Sequence, residues 1–191
     1  MPTPPSALTP DREDRLVAGF AALAIVIHVL EAGLPSPVPG VKPGLANVIT
    51  LIVLLRHSLR LAVWVAGLRV LVGSLLVGSF MAPGFWLSAA GAVASLTVLA
   101  LASLWNAARP SLRLSALGLS VLSALAHMSG QFAVAYGFFI PHPGLLRLLP
   151  PLLTAAFVFG LVTGAATVAI LRHLPPAGPQ RGARSAGPHP S

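Results

Sequence analysis

Polar side chains interrupt the long apolar runs of this chain, and their chemical types are those that hold a small polar solute by hydrogen bonds and charge. A charged side chain kept among lipid is expensive, so each one needs a structural or functional reason. We predict that these side chains meet near one surface of a membrane and bind a solute there. The predicted site residues are Glu31, Lys42, Asn47, Arg69, His127 and Gln131.

The first two of these residues surround a stiff connection. Glu31 lies three residues after His28, so the two share one helix face. They either form an interfacial pair wetted by lipid headgroup water or face a ligand. Lys42 follows in residues 31–47, which hold four prolines. Lys42 either is solvated at the interface or belongs to a stiff lid, because each proline fixes its own backbone angle.

The other candidates lie inside apolar runs. Arg69 near mid-membrane needs a partner, which is either Glu31 in a structural ion pair or an anionic group of a solute. His127 and Gln131 are four residues apart on one helix face. They either join a hydrogen-bonded network between helices or contact a polar ligand.

The composition is that of an integral membrane protein. The chain has 191 residues, of which 55% are hydrophobic and only 8% are charged, and its mean hydropathy is +0.86. The acidic, proline-rich start does not resemble a signal peptide. The net charge of +8 comes from basic residues scattered between apolar runs, so we expect no nucleic-acid partner.

Six apolar runs predict an all-α bundle of six transmembrane helices. The second run is the weak one, since about twelve residues reach only ~18 Å. With both termini cytoplasmic, Lys and Arg divide nine to the inner side and two to the outer side, as the positive-inside rule requires. This orientation predicts a multi-pass protein of the inner (plasma) membrane. The runs are residues 16–34, 44–55, 61–80, 84–107, 114–140 and 148–171.

The runs divide the chain into a disordered N-tail (1–15), a six-helix membrane domain (16–172) and a disordered C-tail (173–191). Small residues four apart recur on helix faces, where they let helix backbones approach closely within lipid. Ala18 with Ala22 is one such pair, and it serves either packing within the chain or docking of a partner subunit.

Enzyme signatures are absent from the sequence. There is no cysteine, and of the four acids only Glu31 lies within an apolar run, so an aspartate-rich metal site is excluded. No phosphate-binding loop, zinc helix motif or nucleophile elbow occurs. We therefore expect no catalysis by this chain alone, no bound metal and no cofactor.

The chain resembles the Gx transporter family, also labelled heptaprenyl diphosphate synthase component I, over residues 16–172. The resemblance lies in residues 31–47, in Leu68 to Ser74, in Gly78 to Phe80, and in His127 to Gln131. That family is similar to the S components of energy-coupling factor transporters, whose first helix carries small residues that meet a partner subunit.

The resemblance implies a substrate-binding membrane subunit of an uptake transporter, driven by a coupling transmembrane subunit and ATPases. The solute would be small and, given Arg69 and Lys42, anionic. Ala18 and Ala22 would then dock the partner. The family's other label implies an alternative, a non-catalytic membrane accessory of heptaprenyl diphosphate synthesis.

Overall fold

The computed structural model describes residues 12–33 and 44–174, and within these ranges all regular structure is helical. The prediction of an all-α protein is confirmed. A 3-10 turn (Pro110–Leu112) precedes α5, and a π-helical segment (Ala135–Phe139) continues it. The α-helices are α1 (Arg12–Gly33), α2 (Ala46–Arg56), α3 (Leu59–Leu76), α4 (Pro83–Ala108), α5 (Ala116–Val134), α6 (Pro143–Leu146) and α7 (Leu149–His173).

Local sequence signals set several helix ends. The hydroxyls of Ser58 and Ser115 accept hydrogen bonds from backbone N–H groups in the first turns of α3 and α5. Pro83 occupies the first turn of α4, where no N–H partner is needed. Helix α3 ends at Leu76, four residues before the predicted end of its run, because the chain turns at Gly78 with a φ of 72°.

The short helix α2 lies at the centre of the bundle, in contact with α1, α3, α5 and α7. Most of its side chains are buried, and Leu51 and Val53 are almost completely so. With eleven residues it reaches only ~16 Å, well short of a ~30 Å hydrocarbon core. Neighbouring helices therefore enclose most of it, which explains why so short a run is so apolar.

Small residues bring α5 and α7 close together. A Cβ added at Gly160 would lie 2.9 Å from the Cα of Val121. The Ser120 hydroxyl donates to the Gly160 carbonyl at 2.8 Å and lies 2.9 Å from the Thr163 hydroxyl. This seam combines backbone approach with hydrogen bonds between helices, as expected where apolar side chains gain nothing by leaving lipid.

The outer surface of the bundle is apolar. Large hydrophobic side chains such as Val26, Leu101 and Phe138 are exposed along the helices, which a bilayer would cover. Five segments are long and apolar enough to cross a membrane, judged by length and composition, whereas α2 is shorter. The six-span count and the cytoplasmic termini stay predictions. The five segments are Glu13–Gly33, Leu59–Leu76, Pro83–Ala108, Ala116–Phe139 and Pro143–His173.

Single-cysteine labelling will test the six-span topology, since the chain has no cysteine of its own. We expect Gly33→Cys, at the end of α1, and Pro141→Cys, after the π-helical segment, to react with a membrane-impermeant maleimide from one side of the membrane. Arg60→Cys, after α2, and Ser111→Cys, after α4, should react only from the other side. Labelling of Arg60→Cys from the same side as Gly33→Cys would show that α2 does not bring the chain across.

Candidate functional site

Five helices contribute to one cavity near an end of the bundle. Helices α1, α3 and α5 approach it with their C-terminal halves, whereas α2 and α4 begin beside it. The cavity measures about 220 Å³, roughly the liquid volume of seven water molecules at ~30 Å³ each. It is lined by His28, Glu31, Gly44, Asn47, Arg69, Val70, Gly84, Leu87, Ser88, His127, Met128 and Gln131.

Arg69 is the charged centre of this cavity. Its side chain is only 6% exposed, and its Nη1 donates to Oδ1 of Asn47 at 3.2 Å. The Nε atom is buried and has no hydrogen-bond partner among the described residues. Helix α3 thus carries a guanidinium into the bundle interior, where a charged group faces other helices or a cavity and not lipid.

Glu31 has a structural contact of its own. Its side chain is 5% exposed, and Oε1 accepts a hydrogen bond from the backbone N–H of Leu45 at 2.6 Å. Leu45 precedes α2, so the carboxylate satisfies an N–H group that the helix start leaves without a partner. Glu31 also attracts the Arg69 guanidinium electrostatically. The carboxylate therefore joins the end of α1 to the start of α2 and offsets the buried charge of Arg69.

The histidine and glutamine of α5 complete the polar lining. His127 and Gln131 both lie against Gly91 of α4. The Nδ1 atom of His127 is buried without a hydrogen-bond partner among the described residues. An imidazole can donate or accept a hydrogen bond, and a carboxamide can do both. This side of the cavity can therefore bind hydrogen-bond donors as well as acceptors of a solute.

The structure brings five of the six predicted site residues to one cavity. Lys42 lies outside the described residues, as does most of the predicted lid. His28 lines the cavity although the prediction left it out of the site, and its helical spacing from Glu31 was the available signal. Sequence reasoning missed Gly84 and Leu87, which carry no chemical signal, and gave Ser88 no role.

Ala18 and Ala22 lie elsewhere. Both are exposed on α1. Gly19 beside them has no other atom within 4 Å of the position that a Cβ would take. This part of α1 is exposed among the described residues, and docking of a partner subunit there stays a prediction.

The cavity's chemistry is that of binding. It combines one cation, one anion, two imidazoles, two carboxamides and a hydroxyl with apolar side chains. No group of three or more His, Cys, Asp or Glu side chains that could hold a metal ion occurs among residues 12–33 and 44–174. The arrangement can hold a small polar solute, and its cation can pair with an anionic group.

Comparison with known proteins matches a family model. No curated protein and no solved structure is similar enough to count as a relative. The family model described as heptaprenyl diphosphate synthase component I matches residues 20–170. That range includes the cavity and every spanning segment except the ends of the first and last. The chain therefore belongs to the heptaprenyl diphosphate synthase component I family.

Proposed function

We propose that this protein is the substrate-binding membrane subunit of an uptake transporter and that it binds a small polar solute with an anionic group. The observation that carries the proposal is the buried Arg69 side chain in a cavity lined by five helices. A purely structural ion pair between Arg69 and Glu31 would not require a cavity around it. A solute carboxylate or phosphate in the cavity would pair with the guanidinium.

The cavity sets the size and polarity of that solute. A volume of about 220 Å³ lies below the ~300–1,000 Å³ of drug-sized sites, so the solute is small. Asn47, His127 and Gln131 supply hydrogen bonds around the anionic group, while Val70 and Leu87 cover an apolar part. Lys42 would add a second cation from the connection before α2.

The distribution of charge supports an outward-facing site. Among the described residues, the helix ends opposite the cavity carry most of the basic side chains, including Arg56, Arg60, Arg109 and Arg113. Basic residues favour the cytoplasmic side, so the cavity would face outward across the cell's inner membrane.

A transporter of this kind needs an energy source from elsewhere, because the sequence holds no ATP-binding motif. The exposed face of α1 that carries Ala18 and Ala22 would dock a coupling transmembrane subunit with its ATPases. Neither a cofactor nor nucleic acid enters this function, and the chain itself would catalyse no reaction.

Equilibrium binding on the full-length protein in lipid nanodiscs tests the proposal. The panel comprises lactate, succinate, aspartate and inorganic phosphate, with neutral glycerol and cationic ethanolamine as controls. At least one anion should bind with a Kd below 1 mM, which is about −4 kcal/mol, while both controls bind at least tenfold more weakly. Binding of no anion, or equal binding of all six, would contradict the proposal.

A second candidate function follows from the family description and from one further feature. An open apolar groove of about 460 Å³ lies between α5 and α7 and is lined mainly by Leu114, Leu117, Val121, Leu122 and Leu161. Such a groove could hold a prenyl chain if the protein were a non-catalytic accessory of heptaprenyl diphosphate synthesis. Affinity purification from native membranes separates the two functions: a recovered prenyl synthase favours the accessory, and recovered ATPases favour transport.

A further inference from the structure

Gly91 of α4 occupies a position where a larger residue would displace its neighbours. A Cβ built there would lie 2.7 Å from both Cε1 and Nε2 of His127 and 2.9 Å from Cγ of Gln131. Real Cβ atoms do not approach other heavy atoms this closely. The two polar side chains of α5 thus pack directly on the α4 backbone.

Retreat of helix α5 from α4 would break a close contact between the two helices. One turn along α5 from His127, Gly130 packs on α4, where an added Cβ would lie 2.7 Å from Cβ of Ala94 and 2.8 Å from the Ala90 carbonyl oxygen. Both helices already touch through their backbones at this level. A methyl group at position 91 would therefore act on the side chains of His127 and Gln131, which must turn away from α4.

We propose that Gly91 is a positioning residue that fixes where His127 and Gln131 stand and so sets the size of solute the cavity accepts. This inference rests on the proposed function, since both side chains line the solute cavity. His28 is placed in the same way, because a Cβ on Gly73 of α3 would lie 2.8 Å from its Cδ2. Each cavity imidazole thus lies on a glycine of a neighbouring helix.

The first experiment does not need a solute. Imidazole resonances of the six histidines are recorded on the isotope-labelled full chain in nanodiscs, and the His127 signals are assigned by their loss in His127→Ala. Gly91→Ala should shift the His127 signals by more than their linewidth. Gly67→Ala is the matched control, because no atom lies within 4 Å of its Cβ position, and it should leave them in place. Unshifted signals in Gly91→Ala would overturn the proposal.

Thermal unfolding then separates positioning from general packing. In the wild-type background, Gly91→Ala should lower the midpoint of thermal unfolding. In the His127→Ala background, the same substitution should lower the midpoint by no more than half as much, since the imidazole no longer occupies the space. An equal loss in both backgrounds would overturn the proposal, because Gly91 would then act through helix packing alone. This readout also decides the case if Gly91→Ala folds poorly.

Solute affinity completes the test. For the tightest-binding member of the lactate, succinate, aspartate and phosphate series, Gly91→Ala should raise Kd at least tenfold, while Gly67→Ala changes it less than twofold. Unchanged affinity in Gly91→Ala would count against the proposal. If the wild-type protein binds none of the four, the proposed function fails, and the resonance and unfolding results still decide whether Gly91 positions the two side chains.

Discussion

Replacing Arg69 with glutamine is expected to weaken binding of an anionic solute by about 100-fold, or ~2.7 kcal/mol. The guanidinium is buried beside Asn47 and is the only cation among the described cavity residues. A charge-assisted hydrogen bond in a site shielded from water is worth more than one at the surface, and losing one partner of a buried pair costs ~2–5 kcal/mol. Titration calorimetry in nanodiscs with the best-bound anion of the panel measures the change.

Arg147→Gln is the matched control. Arg147 follows the short helix α6 and is exposed, so its replacement makes the same change in net charge without touching the cavity. It should alter Kd by less than threefold. If both variants bind alike, Arg69 contributes only to the overall field of the protein and the cavity is not the binding site.

Replacing Gly160 with leucine should produce the largest loss of stability. The added side chain would start 2.9 Å from the Val121 backbone and 3.1 Å from Cβ of Ala124, and backbone cannot move aside as a flexible side chain can. Overpacking of this kind costs ~1–3 kcal/mol. Separation of the helices would also lengthen the 2.8 Å bond from Ser120 to the Gly160 carbonyl. At ~2–4 °C for each kcal/mol in a chain of this size, we expect a midpoint about 2–12 °C lower.

Gly67→Leu provides the reference for this substitution. Gly67 is exposed on α3 with no atom near its Cβ position, so leucine there gains helix propensity without a clash. Its unfolding midpoint should equal or exceed that of the wild-type protein. A Gly160→Leu protein as stable as Gly67→Leu would mean that α5 and α7 do not depend on close backbone approach.

The positions of the helices were largely predictable because a chain that crosses lipid can form few kinds of secondary structure. Apolar runs bounded by Arg, Lys and Pro correspond to α1 through α5 and α7, since a backbone in hydrocarbon must satisfy its own hydrogen bonds. Composition could not show that α2 is enclosed by four other helices. That placement depends on contacts with α7, about a hundred residues away. Nor could it show that α3 stops at Leu76, which the left-handed conformation at Gly78 decides.

The sequence predicted which residues line the candidate site better than it predicted the contacts that each of them makes. Helical spacing and the cost of charge in lipid selected Glu31, Asn47 and Arg69, and the structure places them together. Their partners required coordinates: Glu31 accepts from a backbone N–H, and Arg69 donates to Asn47. Spacing rules describe one helix at a time, whereas these contacts join α1 to α2 and α3 to α2. Binding of a solute by these residues stays a prediction.

The enclosure of α2 also bears on how the protein is made. At eleven residues, α2 is shorter than the ~20 residues of an independent span, so we expect it to enter the membrane together with α3. One flank of α2 packs on α7, which is synthesised after the other six α-helices described here. The central helix therefore completes its burial only after α7 has been made, and a nascent chain that stops before α7 leaves that flank uncovered.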